Sequence, residues 1–566
     1  MSLDGGEALL QACRDLGADY VFSSAGSEWA PVWEALARAE RDAIPGPRYL
    51  DLTHETLAVG MATGYGLVTG RAQVVLLHAA AGLLQGANAI HGALLAGVPM
   101  VVCSGESTGY GDAAGPDPGS QWYRNLSVVG GPQGVAAPFT KWSNTAADVA
   151  VVRGMVTRAA ELAAAPPAGP VYVNVPVEVL LAPWAPRGGR RVPPVGATVA
   201  SEADLDVAVR MLAAARRPVV VTESGGRTTA QWAALLAFAE TVGAPVVEPQ
   251  SAVCANFSRR HPLHGGGDAA DAAADADLVV LLSCRAPWYP PSAVPDGIRT
   301  LVVDDVPQRP HVAYQVLDAD AYVRGDTALT LGALTRRLRE IGVPDSGVVE
   351  ERRTAAVAVH EARERDRRAA EERAAGRPDG PVDPVALAVA LRETLPEDAV
   401  VVDETITHSR LLVQHLMADQ PGRYYYVQGG LGQGSGWALG VKLAVGERLV
   451  VLTVGDGSLL YNPFVQALMA SRVLGLPLLV VVFTNGSYLS MRHNHVRSYP
   501  DGAAVSTGRF FGVSLDGQPD PAAIARACGA HGVRVDTAHE LPSALKEAVE
   551  VARAGQPAVV SVHLTR

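Results

Sequence analysis

Cysteine is scarce in this sequence, and its few copies are unpaired. The 566 residues include five cysteines, an odd number, with no Cys-x-x-Cys pair. This pattern favours reduced cytosolic thiols over a disulfide framework or a zinc site. Residues 1–4 lack the basic and apolar regions of a signal peptide, so we expect no secretory signal and a cytoplasmic protein.

An excess of positive charge and long apolar runs are missing as well. The chain has 47 basic and 58 acidic residues, a formal net charge of −11. Such a balance gives no footprint for nucleic acid or an anionic membrane, and neither is expected as a partner. Pro, Gly or His interrupts the longest apolar stretches, so no membrane-spanning helix is expected. The 48% hydrophobic and 19% charged residues that are present are typical of a well-packed globular protein.

The chain is too long for one hydrophobic core and is expected to divide into domains. Two breaks rich in Pro, Gly and charged residues, 183–194 and 361–381, predict domains at 1–185, 186–365 and 366–566. Each domain alternates short apolar runs with helical segments, which is typical of a parallel sheet covered by helices. The predicted fold class is therefore α/β, with three doubly wound parallel-sheet domains. The predicted buried strands are residues 74–77, 100–103, 171–175, 219–222, 278–283, 301–304, 400–403, 449–454, 478–483 and 558–563.

The most informative motif lies in the third domain, where polar residues follow two neighbouring predicted strands. Asp456, between two glycines, follows strand 449–454, and Asn485 follows strand 478–483. A helix is predicted between them, at 463–475. Ligands bind at the carboxyl ends of strands in open α/β sheets. A carboxylate, an amide oxygen and a main-chain carbonyl suit Mg²⁺, and flanking glycines allow backbone N–H groups to approach phosphate oxygens.

A second motif lies far upstream, around Glu55. The segment 54–70 is rich in small residues and predicts a helix that begins near Glu55, followed by a turn and the strand 74–77. A single glutamate at a helix start also interacts favourably with the helix dipole, which is the structural alternative.

Together the two motifs resemble the thiamine diphosphate (ThDP) enzymes of the pyruvate-oxidase-like family, the acetohydroxyacid synthases and 2-keto acid decarboxylases. The resemblance covers nearly the whole chain and implies pyrimidine, central and pyrophosphate domains in that order. It implies that Glu55 hydrogen-bonds N1′ of the aminopyrimidine and so promotes removal of the thiazolium C2 proton. The side chains of Asp456 and Asn485 and the carbonyl of Ser487 would be Mg²⁺ ligands. Further cofactor contacts implied in this way are Gly455, Gly457, Ser458 and Thr405.

The glycine-rich segment 429–432 precedes the Asp456 motif. By resemblance to the decarboxylases, Leu431 would be the apolar residue under the cofactor that imposes its V conformation. The carbonyl of Gly429 would accept a hydrogen bond from the 4′-amino group. The alternative is a glycine-rich loop that caps a helix. His408, on the loop that follows strand 400–403, is a further candidate.

Two residues of the first domain resemble catalytic residues of the benzoylformate decarboxylase branch. His78 follows strand 74–77, and its imidazole could relay a proton to or from the reacting carbon. Ser27 matches a serine that binds the substrate carboxylate. The structural alternatives are a strand-end histidine and a helix N-cap serine. The chain departs from the branch at Ala25, where a proline is usual, and at 283–289, where the second catalytic histidine has no match.

Four basic residues follow the Asn485 motif, where family members build the wall of the substrate pocket: Arg492, His493, His495 and Arg497. Such a cluster suits a second anionic group or a polar acceptor. A solvated basic helix face is the alternative.

The sequence therefore predicts a ThDP- and Mg²⁺-dependent 2-keto acid decarboxylase, carboligase or both, acting through a C2 ylid and an enamine. A ThDP-dependent C–C lyase or hydrolase of a 2-hydroxyacyl thioester or diketone is the first alternative, and a catalytically silent subunit the second. FAD is not expected, because residues 223–227 lack the third glycine of a dinucleotide fingerprint. The family's site between subunits implies a homodimer at least, and a homotetramer is expected.

Overall fold

The protein contains three six-stranded parallel sheets, as seen in a computed structural model. The structure describes residues 3–108, 130–186, 188, 191–290, 293–309, 319–376 and 379–565. Helices cover both faces of each sheet, and the predicted α/β class with three parallel-sheet domains is confirmed.

The first sheet has the strand order β2-β1-β3-β4-β6-β5. Its strands are β1 (Tyr20–Ser24), β2 (Arg48–Asp51), β3 (Gln73–Leu77), β4 (Met100–Ser104), β5 (Ser143–Thr145) and β6 (Pro170–Asn174). The helices around it are α1 (Gly5–Leu16), α2 (Ala30–Arg41), α3 (Glu55–Thr69), α4 (Ala81–Ala96), α5 (Gly131–Ala136), α6 (Val149–Ala164) and α7 (Val177–Leu180).

The second sheet has the order β12-β11-β10-β7-β8-β9. Its strands are β7 (Pro218–Thr222), β8 (Val246–Val247), β9 (His264–Gly266), β10 (Leu278–Leu282), β11 (Arg299–Asp304) and β12 (Ala321–Arg324). Its helices are α8 (Glu202–Ala214), α9 (Thr229–Val242), α10 (Ala269–Ala274), α11 (Thr327–Glu340) and α12 (Gly347–Ala375).

The third sheet has the order β14-β13-β15-β16-β18-β17. Its strands are β13 (Val400–Glu404), β14 (Tyr424–Tyr426), β15 (Val450–Gly455), β16 (Leu479–Thr484), β17 (His531–Val535) and β18 (Ala558–His563). Its helices are α13 (Pro384–Thr394), α14 (Ser409–Leu416), α15 (Gly434–Val445), α16 (Asp456–Leu459), α17 (Phe464–Val473), α18 (Leu489–Ser498), α19 (Ala503–Thr507), α20 (Pro521–Ala527) and α21 (Leu541–Arg553).

Alternating side chains of the central strands fill two cores, one on each face of a sheet. On β15, Val450 and Leu452 face one hydrophobic cluster and Val451 faces another. The first of these clusters is continuous with the core of the first sheet, around Val75 and Val102. The first and third domains of one chain therefore share a core.

Close packing of α3 against α15 makes this shared core possible. A Cβ placed on Gly60 would lie 2.9 Å from Cα of Gly436, closer than real side chains approach. A Cβ on Gly64 would collide with the carbonyl of Trp437. The small residues that follow Glu55 are thus required where the two helices cross, and Trp437 is completely buried between them.

The strands of each sheet fall within one predicted domain. The domain boundaries themselves stay a prediction. The predicted boundary between residues 365 and 366 lies inside α12. All five cysteines are free thiols. Within the described part of the chain, no helix combines the length and apolar character needed to cross a bilayer.

Candidate active site

A histidine–carboxylate pair lies at the carboxyl end of the first sheet. His78 follows β3, and Glu28 lies in the single helical turn Ser27–Trp29 after β1. Both carboxylate oxygens of Glu28 are 2.9 Å from Nδ1 of His78. Glu28 also accepts a 2.9 Å hydrogen bond from the N–H of Ala79, which fixes the carboxylate. Nδ1–H of His78 therefore donates to Glu28, and Nε2 is the nitrogen available to a reactant.

The pair raises the pKa of His78. The hydrogen bond to Glu28 is the main cause, partial burial opposes it, and the charges of Glu28, Glu55 and Glu106 add to the increase. The side chain of Glu28 is only 8% exposed, whereas that of His78 is 28% exposed. The imidazole thus contacts a buried carboxylate on one side and is partly accessible to solvent, which is the arrangement of a positioned acid or base.

Glycines provide the room for this cluster. A Cβ on Gly26 would collide with the imidazole of His78 and the carboxylate of Glu28. A Cβ on Gly82 would lie 2.9 Å from Cβ of His78 and 3.3 Å from Oε1 of Glu55. Glu55 and His78 therefore lie side by side across Gly82, and the structure brings these two predicted residues together.

Glu55 is the first residue of α3, as the sequence predicts. His54 is the N-cap, and its Nδ1 accepts a 3.2 Å hydrogen bond from the N–H of Thr56. The histidine satisfies a donor at the helix start, so Glu55 is not needed as a cap. The Glu55 side chain is half-buried beside His78. The proposed bond to the aminopyrimidine stays a prediction.

Glu106 is a member of this cluster that the sequence analysis missed. It follows β4, is 1% exposed, and accepts a 2.7 Å hydrogen bond from the N–H of Ala80. Ala80 has a φ of 51°, an unfavourable backbone conformation for alanine. Such strain occurs at functional sites where surrounding contacts impose it. An isolated carboxylate after a strand carries no pattern that could have identified it.

Ser27 is exposed at the first position of its helical turn. Gly26 occupies the N-cap position, and no side chain caps the turn. The N-cap alternative for Ser27 is therefore wrong, because the residue lies one position too far along the chain to cap it. Its role towards a substrate carboxylate stays a prediction.

Asp456 and Asn485 meet at the carboxyl end of the third sheet, as predicted from their strands. Asp456 is 2% exposed, and its Oδ2 accepts hydrogen bonds from the N–H groups of Asn485 (3.0 Å) and Gly486 (2.7 Å). Its Oδ1 accepts from Gly457 N–H at 2.8 Å. Burial raises the pKa of Asp456, and these backbone donors oppose the increase.

The residues present here fit a Mg²⁺–diphosphate group. One carboxylate, one amide oxygen and the Ser487 carbonyl are hard oxygen ligands, and Oδ1 of Asp456, which accepts one hydrogen bond, retains capacity to accept another bond. Ser487 is held by two hydrogen bonds to Oδ1 of Asn485, at 3.0 and 2.8 Å. Among the described residues no group of three or more His, Cys, Asp or Glu side chains is arranged to hold a metal ion, and the proposed ligand set has a single carboxylate.

A cradle of small residues surrounds this position. A Cβ on Gly457 would lie 2.6 Å from the ring of Tyr488, so the backbone there is open only because the residue is glycine. Gly455 lies beside the carbonyl of Thr405, and the Thr405 hydroxyl is buried without a well-formed hydrogen bond. This hydroxyl lies beside the carboxylate of Asp403, whose pKa it helps to lower against the effect of burial. The contacts predicted for Gly455, Gly457, Ser458 and Thr405 stay predictions.

The loop that carries Leu431 lies against the first domain. The main-chain carbonyl of Leu431 accepts a 3.1 Å hydrogen bond from Nδ2 of Asn88 on α4. Gly429 and Gly432 have φ angles of 89° and 98°, which are unfavourable for any residue that has a β-carbon. The loop leads directly into α15, as expected if it only precedes a helix. The role of Leu431 under the cofactor stays a prediction.

Glu404 holds this loop from beneath. Its Oε1 accepts hydrogen bonds from the N–H groups of Gly432 (2.8 Å) and Gln433 (3.0 Å). Its Oε2 accepts from Nδ2 of Asn462 at 2.7 Å. Complete burial raises the pKa of Glu404 to about 7, although each of these donors favours the ionised form. The carboxylate at the end of β13 thus fixes the loop on which Leu431 lies.

His408 is buried, close enough to α18 for the charge of His493 to act on its ring. Its ring is 5.7 Å from that of Phe483, at the end of β16. Burial, with the charge of His493, lowers the pKa of His408 to about 4, so its imidazole is neutral at physiological pH. Arg492, His493 and Arg497 are exposed on α18, with Arg492 over the ring of Phe510 at 5.0 Å.

A salt bridge fills the switch point of the central sheet. Glu223 follows β7 and Arg285 follows β10, the two strands between which the order reverses, and their charged groups are 2.7 Å apart. Arg285 also donates to the carbonyl of Gln428's side chain at 3.3 Å. Dinucleotides bind at such switch points in other α/β sheets.

Comparisons with known proteins agree with this layout. Profiles of thiamine pyrophosphate enzymes match residues 3–118 (N-terminal TPP binding domain), 205–334 (central domain) and 405–562 (C-terminal TPP binding domain). The chain is 29% identical to benzoylformate decarboxylase of Pseudomonas aeruginosa over 572 residues, covering 98% of each. It is 26% identical to the acetolactate synthase large subunit of Parasynechococcus marenigrum, covering 100% of this chain and 88% of that protein. The solved structure of a ThDP-dependent 4-hydroxybenzoylformate decarboxylase from Rhodococcus jostii RHA1 has the same fold, with a TM-score of 0.79 at 24% identity over 99% of both chains.

Proposed function

The chain belongs to the thiamine diphosphate-dependent enzymes of the pyruvate-oxidase-like family, and on this premise we propose that it is a Mg²⁺-dependent 2-keto acid decarboxylase, carboligase or both. Its relatives are a benzoylformate decarboxylase and acetolactate synthases, which supports keto acid chemistry. They do not favour the lyase or hydrolase alternative. The observation that carries the proposal is the Glu28–His78 pair beside Glu55 at the end of the first sheet.

The cofactor would be held by two groups of residues. Asp456, Asn485 and the Ser487 carbonyl would bind Mg²⁺ and through it the diphosphate, and Glu55 would bind the aminopyrimidine. ThDP supplies a carbanion equivalent and an electron sink for the decarboxylation of a 2-keto acid. Leu431, on the loop held by Glu404, would support the ring system from below.

Proton transfer to the reacting carbon is the role proposed for His78. Glu28 fixes its tautomer through Nδ1 and favours the imidazolium form, so that Nε2–H can donate a proton. Ser27 is exposed on the loop after β1, separated from the end of the strand by two residues. Its hydroxyl would donate a hydrogen bond to the substrate carboxylate. The neutral His408 and the exposed cations of α18 would face a polar part of the substrate or acceptor.

A homodimer is the minimum assembly in this proposal, and we expect the protein to form a homotetramer. Large apolar side chains of α17 and the segment before it are exposed, with Tyr461 at 60% and Val473 at 82%. Contiguous exposed apolar surface is typical of an interface between protein chains. Light scattering coupled to gel filtration measures this directly, and a monomer at micromolar concentration would contradict it.

The central domain is proposed to carry no flavin, because Glu223 and Arg285 occupy the switch point with an ion pair. A cytoplasmic location completes the proposal and agrees with five free thiols.

The test of function is CO₂ release from a panel of 2-keto acids, with and without acceptor aldehydes. The enzyme is saturated with ThDP and Mg²⁺, and Glu55→Gln, which preserves size, serves as the matched control. Glu55-dependent release with the aldehyde as product indicates a decarboxylase, and a coupled product, formed with the added acceptor or with a second keto acid molecule, indicates a carboligase. No release from any keto acid of the panel would contradict the proposal.

A further inference from the structure

A cationic cavity lies away from the candidate active site, at the junction of the second and third domains. Its volume is about 250 Å³, and it is lined by the ends of β8 and β9, by α12, and by α14 and β14. The cavity is on the β8–β9 side of the central sheet, not at the switch point where Glu223 and Arg285 pair.

Three acidic side chains line this cavity: Glu248 and Glu364 are in ion pairs, and Asp268 caps α10 by accepting hydrogen bonds from the N–H groups of Ala270 and Asp271. Glu248 is buried and lies 3.0 Å from Nη2 of Arg259 and 3.1 Å from Nε2 of His264. Glu364 pairs with Arg367 at 2.7 Å. These carboxylates therefore have little capacity left to balance further positive charge in the cavity.

Two guanidinium groups on its wall lack such a partner. Arg410 donates to the carbonyl of Gly267 at 2.9 Å, and Arg363 donates to the carbonyl of Gly265. Within the described residues, neither guanidinium has a carboxylate at ion-pair distance. Each has five N–H donors, so most of them remain for a ligand.

A third cation lies close to them. Arg259 is 9% exposed, and its Nε is buried without a hydrogen-bond partner. The pKa of Arg363 is lowered by burial and then by the charge of Arg259, while Asp268 and Asp271 oppose the change. Four arginines and three carboxylates line the cavity, so arginine is in excess on its wall, and a buried donor of Arg259 is unsatisfied.

We propose that this cavity is a binding site for a small dianion of the phosphate or dicarboxylate kind, held by Arg259, Arg363 and Arg410. Arginine suits both chemistries because its planar fork matches carboxylate and phosphate oxygens. Val413 and Met417 form an apolar part of the wall, and the volume suits a ligand of few atoms. Gly266 belongs to the site, since a Cβ there would collide with the Arg363 guanidinium.

Two hydrogen-bond connections join the cavity to the loop that carries Thr405. Ser409, on the cavity wall, donates to the carbonyl of Ile406 at 3.0 Å. Tyr424, also on the wall, donates to Asp403 at 2.7 Å, and Asp403 accepts from Thr405 N–H at 2.9 Å. Ile406 has a φ of 53°, an unfavourable value for a β-branched residue. An anion beside Ser409 and Tyr424 would therefore change the cofactor affinity of this loop, a part of the proposal that rests on the proposed function.

The binding test is calorimetric titration of the full chain, saturated with ThDP and Mg²⁺, with inorganic phosphate in one arm and malonate in the other. Saturation prevents either ion from binding at the diphosphate site. We expect one site per chain in at least one arm, weakened about tenfold or more in Arg363→Gln and in Arg410→Gln. Arg365→Gln, on the same helix but outside the cavity, should bind as wild type does. No binding in either arm, or equal binding by all the variants, would overturn the site.

The coupling test uses the ThDP affinity of the same proteins at fixed Mg²⁺, measured with and without the anion that binds. We expect a change of roughly fivefold or more in wild type that is absent from the Arg363→Gln/Arg410→Gln double variant, and linkage requires the reciprocal effect on anion affinity. Simple competition at the cofactor site would persist in the double variant and would overturn the coupling. A chain that binds no ThDP would contradict the proposed function, while the titration would still decide the anion site.

Discussion

Glu28 holds His78 by one ring nitrogen, with both carboxylate oxygens 2.9 Å from Nδ1. The two residues come from different loops, after β1 and after β3, and meet only because these strands are neighbours in the sheet. The pair sets the tautomer and raises the pKa of the imidazole. Several measurable properties of the site depend on this contact.

Replacing Glu28 by Gln should lower the pKa of His78. The raised pKa comes mainly from the hydrogen bond to Glu28, so the imidazolium would lose its stabilising partner. If protonated His78 is the acid, turnover falls as pH rises through its pKa, and this falling limb should move to lower pH in the variant. The pH profile of CO₂ release measures the shift, with Glu40→Gln on the exposed face of α2 as control. An unmoved limb would show that Glu28 does not tune the acid.

His78→Ala should reduce turnover by about 10²–10⁴, the usual effect of removing a positioned acid or base. ThDP affinity and hydrogen–deuterium exchange at C2 should stay near wild type, because the role proposed for His78 comes after the first bond forms. Acid quench and NMR should then detect accumulated substrate–cofactor adduct. His91→Ala, on the exposed face of α4, is the matched control. Lower thermal stability without adduct would instead mean that His78 only packs at the strand end.

Glu55→Gln should preserve the fold and cofactor binding but slow C2 exchange severely. Gln keeps the size of the side chain at the start of α3 but cannot exchange a proton with N1′. The fold should survive because His54, not Glu55, caps the helix. Exchange of bound cofactor at the wild-type rate would reduce Glu55 to a helix-start residue.

Asp456→Ala should abolish retention of ThDP and activity. The variant loses the proposed Mg²⁺ ligand and also the acceptor that fixes the N–H groups of Asn485, Gly486 and Gly457. Cofactor content after gel filtration, with and without added Mg²⁺, measures the effect. Asp516→Ala, on an exposed turn, tests whether loss of any carboxylate in this domain has the same result. Normal retention without added metal would refute the metal assignment.

The sequence predicted the interior of the fold better than its edges. The ten predicted strands correspond to β3, β4, β6, β7, β10, β11, β13, β15, β16 and β18, whose apolar residues face helices on both sides of a sheet. The strands at the sheet edges, such as β2 and β14, were missed because they are short, with four and three residues. Interior β1 was missed as well, since its two serines interrupt the apolar pattern.

The candidate site shows the same division. Asp456 and Asn485 were predictable because each follows a recognisable strand, and Glu55 because it begins a helix of small residues. Glu28 and Glu106 could not be predicted, because a single carboxylate has no periodicity and its partner depends on the packing of separate loops. The cationic cavity has the same origin: Arg259, Arg363 and Arg410 are distant in sequence and meet only where two domains pack.

Glu404→Gln should alter both the stability of the protein and its dependence on pH. The variant leaves an amide donor opposite Nδ2 of Asn462, and loss of one such buried bond costs about 1–3 kcal/mol. Burial raises the pKa of Glu404 from 4.5 to about 7, so the folded state holds the proton more tightly than the unfolded state does. Its contribution to stability is therefore complete below the unfolded pKa of 4.5 and is lost as pH rises from there through 7.

Melting temperatures of wild type and Glu404→Gln across this pH range test the prediction, since a chain of several domains does not unfold in two states. The wild-type melting temperature should fall relative to that of the variant as pH rises, because only wild type has this carboxyl. Glu393→Gln, exposed on α13, should follow wild type. Parallel curves for all three proteins would mean that Glu404 keeps an ordinary pKa, and that its backbone donors outweigh burial in fixing the loop of Leu431.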